Sequence, residues 1–256
     1  MKKIYLFLFL FTAFIKADTI TITSDAWCPY NCDEKSEKQG FLVDIFTYIF
    51  KQYGYEVEYV VSSSYAKAIK DVRSNKYDAL IATTHDETPD FLFPKLPIAY
   101  SYDVILIAKD SEWKYTSEES LNELTLGLIK GYIYDEPIQR HISLNRNNPK
   151  KIQIISGNHA LEYNLKKLQY KKITATIDDQ LLIKYNYTSK QDVMPFKIAE
   201  RMETYPLYIA FSPKNYKSQR YVEMFNRGFK RLLHTKQMEK ILQKYNLTEE
   251  NILKPQ

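Results

Sequence analysis

The chain has 256 residues, with 36 Lys and Arg against 31 Asp and Glu, a formal charge of +5, and 45% hydrophobic residues that include 22 Tyr and 13 Phe. Two cysteines cannot staple so long a chain and no repeat or low-complexity stretch interrupts it, so its stability has to come from apolar burial in one large domain or two lobes. Lys2, Lys3 and Lys16 lie in the leader described next; without them the charge falls from +5 to +2, which removes the support for a nucleic-acid-binding surface.

The chain opens MKKIYLFLFLFTAFIKADTITI, with two lysines, an apolar run from Ile4 to Ile15 and a small residue, Ala17, before Asp18. This is the pattern of a secretory signal peptide over residues 1–17, cleaved near Ala17. The run is too short for a membrane span, which takes ~20 apolar residues. The mature protein is therefore expected in the periplasm, and no cysteine follows the cleavage point to carry a lipid.

DTITITSD (18–25) alternates apolar and polar residues as a strand does. The next stretch, DAWCPYNCDE (25–34), holds both cysteines and reads in three ways: a redox centre, a disulfide, or a loop that touches a ligand. GFLVDIFTYIFKQYG (40–54) places Phe41, Ile45, Ile49 and Tyr53 on one helical face and stops at Gly54. YEVEYVV (55–61) is a strand, YAKAIKDVRSNKYD (65–78) a helix and ALIAT (79–83) a buried strand. A Pro-rich loop (84–101) leads to the strand YDVILIAKD (102–110). The pattern then restarts: LTLGLIKG as strand, YIYDEPIQRHI (132–142) as helix, KIQIIS as strand, NHALEYNLKKL as helix and ITATIDD as strand. A strand, YPLYIAFSPK (205–214), and two helices, SQRYVEMFNRGFKRLLHT and KQMEKILQKYNL, close the chain. The densest basic run, LKKLQYKK (165–172), reads as the solvated face of a helix and the entry to a strand. Strands alternating with helices predict an α/β fold whose sheets are mainly parallel and flanked by helices.

The order of these elements, with the phrases GFLVDIFTYIF, NKYDALIA, YSYDVILIAKD, ESLNELTLGLIKG, YPLYIAFSPKN and MFNRGFKRLL, resembles the periplasmic solute-binding proteins of the polar amino-acid uptake class, family 3, over about residues 18 to 247. The resemblance implies a two-lobed, type II binding-protein fold with the ligand cleft between lobes. Lobe one is expected over 18–108 plus 206–256 and lobe two over 109–205, because the βα pattern restarts near Ser111 and ends before Pro206.

The family pattern at the end of the first strand, an aromatic, a spacer, a proline and another aromatic, falls on AWCPY (26–30) and places Trp27 against the ligand. Tyr65 then supplies a second ring, each holding a cation or apolar stem for ~0.5 to 2 kcal/mol. The bland alternative for both rings is a plug at the sheet edge. Thr83, Thr84 and His85 line the carboxyl end of the third strand, where pockets of parallel sheets lie. Relatives that bind amino acids carry a carboxylate-gripping arginine in a T-x-x-R-like stretch there, but this chain has no arginine between Arg73 and Arg140. In lobe two, LIKGY (128–132) ends a strand and opens a helix, so backbone N–H groups at Gly131 and Tyr132, with Lys130, are expected to form an anion site. The resemblance puts an acid at the end of ITATIDD against a ligand amino group; the register favours Asp179, with Asp178 beside it, and the alternative for either is a helix N-cap.

Cys28 and Cys32 have three residues between them, not the two of a C-x-x-C dithiol, and a polar loop follows them, so a structural disulfide that holds Trp27 is expected rather than a thiol centre. His85, His141, His159 and His234 show no zinc spacing, and no phosphate loop, dinucleotide fingerprint or G-x-S-x-G appears. No catalytic residue, metal or cofactor is therefore expected. The functional reading is a binder of a small polar, amino-acid-like solute, not necessarily a standard α-amino acid, working as a monomer and serving a membrane permease complex or sensor receptor on separate chains. The alternatives are a cleft enzyme of the same fold, a dehydratase or lytic transglycosylase, which needs a buried acid such as Glu87 or Asp179 with a raised pKa, and a thiol oxidoreductase.

Overall fold

The structure, a computed structural model, describes residues 17–157, 159–188 and 194–253, so the leader expected over 1–17 lies outside it except for Ala17. In the first half β1 (Asp18–Ser24), β2 (Tyr55–Val61) and β3 (Ala79–Thr83) run parallel, joined through α1 (Phe41–Lys51) and α2 (Tyr65–Arg73). In the second half β5 (Leu126–Ile129), β6 (Ile152–Ile155) and β7 (Ala175–Asp179) are parallel, joined through α3 (Glu136–Asn145) and α4 (Ala160–Gln169), and α5 (Gln180–Thr188) follows β7. Two long strands lie between the halves. β4 (Ala99–Ala108) and β8 (Phe196–Phe211) pair antiparallel along their length, β8 also against β3 and β4 also against β7. The sheet is thus continuous in the order β2-β1-β3-β8-β4-β7-β5-β6. α6 (Ser218–Leu232), α7 (Lys236–Gln243) and α8 (Glu249–Leu253) end the chain, with α6 and α7 packed on α1.

The packing follows from the patterning. Ile20 and Ile22 of β1, and Leu42, Ile45, Phe46, Ile49 and Phe50 of α1, are buried with Tyr221, Phe225 and Phe229 of α6. Gly228 lets α6 approach α1 closely, since a Cβ there would lie 2.4 Å from Ile49 Cγ2. A separate cluster holds the second half: Ile105 and Ile107 of β4 with Leu126, Leu128, Ile138 and Ile177. Asp78 ties strand starts together, accepting from the Thr21 N–H at 2.7 Å and the Thr21 hydroxyl at 2.9 Å.

Three elements differ from expectation. β8 begins at Phe196 instead of residue 205, because backbone pairing with Tyr102–Ala108 of β4 extends it through a polar stretch that has no strand signal of its own. α3 begins at Glu136, four residues after the expected start, since Pro137 suits the first turn of a helix and fixes where it opens. The expected separate sheets are one sheet, whose β4–β8 ladder shifts register between Tyr102 and Val104 and again between Ile105 and Leu106.

Candidate functional site

The loop after β1 is held from every side. Cys28 and Cys32 are joined by a disulfide, and no cysteine is free. Beside that ring Trp27 and Asn31 exchange both backbone hydrogen bonds, at 2.6 and 3.1 Å. The Pro29 and Tyr30 carbonyls accept the N–H groups of Phe41 and Leu42, each at 3.0 Å, so the first turn of α1 anchors the loop. Gly40 makes this approach possible: its φ is +112°, and a Cβ there would lie 2.3 Å from the Tyr30 oxygen. The result is a stack in which the half-buried Trp27 ring lies 4.1 Å from the Tyr30 ring, and Tyr30, fully buried, leans on Phe41.

At the end of β3 a carboxylate is fixed in place. Glu87 Oε2 accepts from the Tyr65 hydroxyl (2.9 Å), the Thr84 N–H (3.0 Å), the Thr84 hydroxyl (3.2 Å) and the Thr83 hydroxyl (3.4 Å). Ala82, beneath the Tyr65 hydroxyl, has φ +57°, a left-handed conformation that costs a residue with a Cβ ~1 kcal/mol or more. Asp25, at the end of β1, has its pKa raised to about 6 by burial, with the Glu87 charge adding to the effect. His85 is exposed and packs on Phe93 and Tyr208, with ring centroids 3.9 and 4.7 Å away, an aromatic surface stack that accounts for it without a ligand.

The second half presents further acids. Asp179 Oδ1 accepts the Leu181 and Leu182 N–H groups at 2.8 and 3.0 Å and so caps α5; Oδ2 accepts the Ser101 hydroxyl at 2.7 Å and the Tyr30 hydroxyl at 3.0 Å. The cap and the hydroxyls thus engage both oxygens of Asp179, the residue expected to face a ligand amino group. The Tyr30 bond also ties the loop after β1 to the end of β7. Asp178 is 1% exposed; its Oδ1 accepts the Asp179 N–H and its Oδ2 has no hydrogen-bond partner among the described residues. Asp103 pairs with Asp179 across the β4–β7 ladder, and burial, then the Asp179 and Asp135 charges, push its pKa to about 8 against the pull of the Tyr205 hydroxyl. Burial, then Asp103, likewise raises Asp178 well above the carboxylate range.

Tyr132 lies on the turn after β5. Its phenol, raised in pKa mainly by burial, feels Asp178, Asp25 and Asp103, while 37% of the residue stays exposed. Lys130 and Gly131 are exposed on the turn after β5, where the Lys130 N–H already donates to the Ile155 carbonyl and the Tyr132 N–H to the Ile129 carbonyl. The anion site was expected at this turn; α3 opens only at Glu136, so its N-terminal amides lie farther on. The expected sandwich of Trp27 and Tyr65 is replaced by Trp27 on Tyr30, with Tyr65 turned to Glu87.

The charges acting most strongly on Asp25, Asp103 and Asp178 are other carboxylates. Burial and mutual repulsion favour the protonated form of these carboxyls, and a cation arriving among them would favour the ionised form. Among the described residues no group of three or more His, Cys, Asp and Glu side chains is placed to hold a metal ion. Sequence reasoning missed Asp25, Tyr30, Ser101, Asp103 and Tyr205; a carboxylate inside the apolar run YDVILIA was a signal for Asp103. An open hollow of about 550 Å³ beside α4, lined by Tyr163, Lys166, Lys167 and Tyr170, shares no residue with these acids.

Two half-sheets joined by a pair of long strands, with buried polar groups where the halves meet, define the two-lobed α/β architecture of solute-binding proteins. The chain belongs to the bacterial extracellular solute-binding proteins, family 3, whose model matches residues 20–248. No curated protein matches the sequence. Among solved structures, it is similar to an ancestral arginine-binding protein bound to arginine, at 19% identity and TM-score 0.68, covering 90% of this chain and 98% of that one. It is similar to a histidine kinase sensor domain with similarity to periplasmic binding proteins, at 18% identity and TM-score 0.70, covering 93% and 99%. It is also similar to an ancestral amino acid-binding protein that is a precursor of cyclohexadienyl dehydratase, at 18% identity and TM-score 0.64, covering 89% and 94%. The family binds small-molecule solutes outside the cytoplasm, and no described helix is long and apolar enough to cross a membrane.

Proposed function

We propose that the protein captures a small amine-bearing solute between its lobes in the periplasm, after removal of a signal peptide ending near Ala17, and presents it to a membrane permease complex or a sensor receptor on separate chains. The closing lobes are residues 18–108 with 206–256, and residues 109–205, crossing along β4 and β8. The observation that carries the reading is Asp178 Oδ2, a buried carboxylate oxygen without a partner among acids contributed by both halves. The solute's ammonium group lies against Asp178 and Asp25, with Trp27 and Tyr132 flanking it. Trp27→Ala and Asp178→Asn should each weaken binding by ~1 to 3 kcal/mol, the range for truncating a desolvated contact. Mass spectrometry of the co-purified solute, followed by titration calorimetry with the variants, tests this; a solute without a basic nitrogen, held unchanged by both variants, would refute it.

A second reading rests on Asp103. An acid kept protonated near neutral pH, with pKa about 8, is what a cleft lyase uses to protonate a leaving group, and one structural neighbour is a precursor of a dehydratase. Following the bound solute by NMR separates the two: an unchanged solute over many hours supports the binder, and its conversion supports the lyase.

A further inference from the structure

We infer that the hollow beside α4 is a ligand site of its own, which takes an organic polyanion with a flat body and is independent of the acids described above.

The site grows from one stripe of α4. Tyr163, Lys166, Lys167 and Tyr170 stand at i, i+3, i+4 and i+7 and so share a face of the helix, while Leu161, Leu165 and Leu168 on the opposite side are buried. The helix ends in a reverse turn with Lys171 left-handed at φ +54°. There the Lys172 N–H donates to the Lys167 carbonyl at 2.8 Å and the Lys171 N–H to the Leu168 carbonyl at 3.1 Å. That turn folds Lys172 back beside the stripe and brings a third lysine to the hollow. The edge strand β6 supplies Ile155, and Ser156 follows it. The Gln153 side-chain amide, which donates to the Lys172 carbonyl at 3.3 Å, ties this strand to the turn.

The hollow measures about 550 Å³, within the ~300 to 1,000 Å³ of small-molecule pockets. Ring faces and the methylene stems of lysines give it apolar walls that end in ammonium groups. Tyr163 and Tyr170 are 57% and 71% exposed, and the Lys166 ammonium lies 5.9 Å from the Tyr163 ring centroid. No carboxylate lines the hollow, and among the described residues none pairs with Lys166, Lys167 or Lys172. The neighbouring acids are engaged elsewhere, Glu162 with His159 at 3.7 Å and Asp110 with Lys171 at 2.8 Å. Burial lowers the pKa of Lys167 and no acid offsets it. A cation partly withdrawn from water without a countercharge gains from an arriving anion. A compact anion would meet the lysines and leave the rings in water. A flat body with several negative charges covers the rings and meets the lysines together. The concave shape argues for a small molecule, because a flat bilayer would touch only the rim.

The test uses the fluorescent aromatic trianion 8-hydroxypyrene-1,3,6-trisulfonate on the unreduced protein, read by anisotropy. Saturable binding is expected, weakened by added salt and at least tenfold tighter than that of citrate, a trianion without a flat body, measured by competition. The triple variant Lys166→Gln, Lys167→Gln, Lys172→Gln should weaken dye binding at least tenfold, and Tyr163→Ser with Tyr170→Ser at least threefold. On the unaltered protein the dye should slow acetylation of Lys166, Lys167 and Lys172, read by mass spectrometry, and leave Lys236 on α7 unaffected, so the site is located even where a variant fails to fold. No saturable binding, binding unchanged in the folded triple variant, or citrate binding as tightly as the dye overturns the inference. Capture of the protein by phosphatidylglycerol vesicles without dye binding also overturns it, in favour of a membrane-docking face.

Discussion

Asp103→Asn should stabilise the ligand-free protein, and by considerably more at pH 8 than at pH 5. Burial and the neighbouring Asp179 and Asp135 charges raise this carboxyl from 3.8 to about 8, opposed by the Tyr205 hydroxyl, so between those values the folded protein binds a proton that the unfolded chain has released. Its contribution is therefore complete below pH 3.8 and is lost as pH rises through about 8, the opposite of a salt-bridged aspartate. Each pH unit in that window removes ~1.4 kcal/mol, and three units from pH 5 to 8 set a ceiling of ~4 kcal/mol. Asp178 and Asp179 titrate in the same field and share part of it, so the expected difference between wild type and variant grows by ~2 to 4 kcal/mol over that range. At ~2 to 4 °C per kcal/mol for a chain of this size, that is roughly 4 to 16 °C in melting temperature. Thermal unfolding followed by circular dichroism at pH 5, 6, 7 and 8 reads it directly. Melting temperatures for the two proteins that stay a constant distance apart across the series would refute the reasoning, since an amide cannot reproduce a titration.

The same raised carboxyls make binding pH-dependent with the opposite sign: a cationic solute favours ionised Asp25 and Asp103, so its affinity should rise at least tenfold from pH 5.5 to 8 with proton release, seen by calorimetry in buffers of different ionisation enthalpy. Asp179→Ala should cost ~2 to 3 kcal/mol in urea unfolding, because it removes the α5 cap and strands the Ser101 and Tyr30 hydroxyls, whereas Tyr30→Phe, which leaves the cap in place, should cost ~1 kcal/mol; equal losses would contradict the cap. Alkylation of the unreduced native protein should label neither Cys28 nor Cys32, and full labelling with dithiol-exchange activity would restore the redox reading.

Elements with their own periodicity were legible in the sequence, and elements made by partners were not. The alternation of Ile20 and Ile22 and the face of Phe41, Ile45 and Ile49 both point to the core that buries them. Phe196–Thr204, by contrast, has no strand pattern; it is a strand because β4 lies beside it with free backbone groups to pair. The site divides in the same way. That two adjacent aspartates end a strand could be read from ITATIDD, but neighbours in a strand point to opposite faces, and which one caps the helix depends on where α5 starts. Here Asp179, the residue the family register favours, caps α5, which starts at Gln180, while Asp178 Oδ2 has no hydrogen-bond partner among the described residues. The missing arginine after β3 was legible too, yet an absence does not say what replaces it. Glu87 becomes a fixed acid because Thr83, Thr84 and Tyr65 meet around one of its oxygens, beside a left-handed backbone at Ala82. A local pattern can specify a helix, but the sign of charge at the bottom of a cleft is set by groups brought together from β1, β3, β4 and β7, and those meet only in the folded chain.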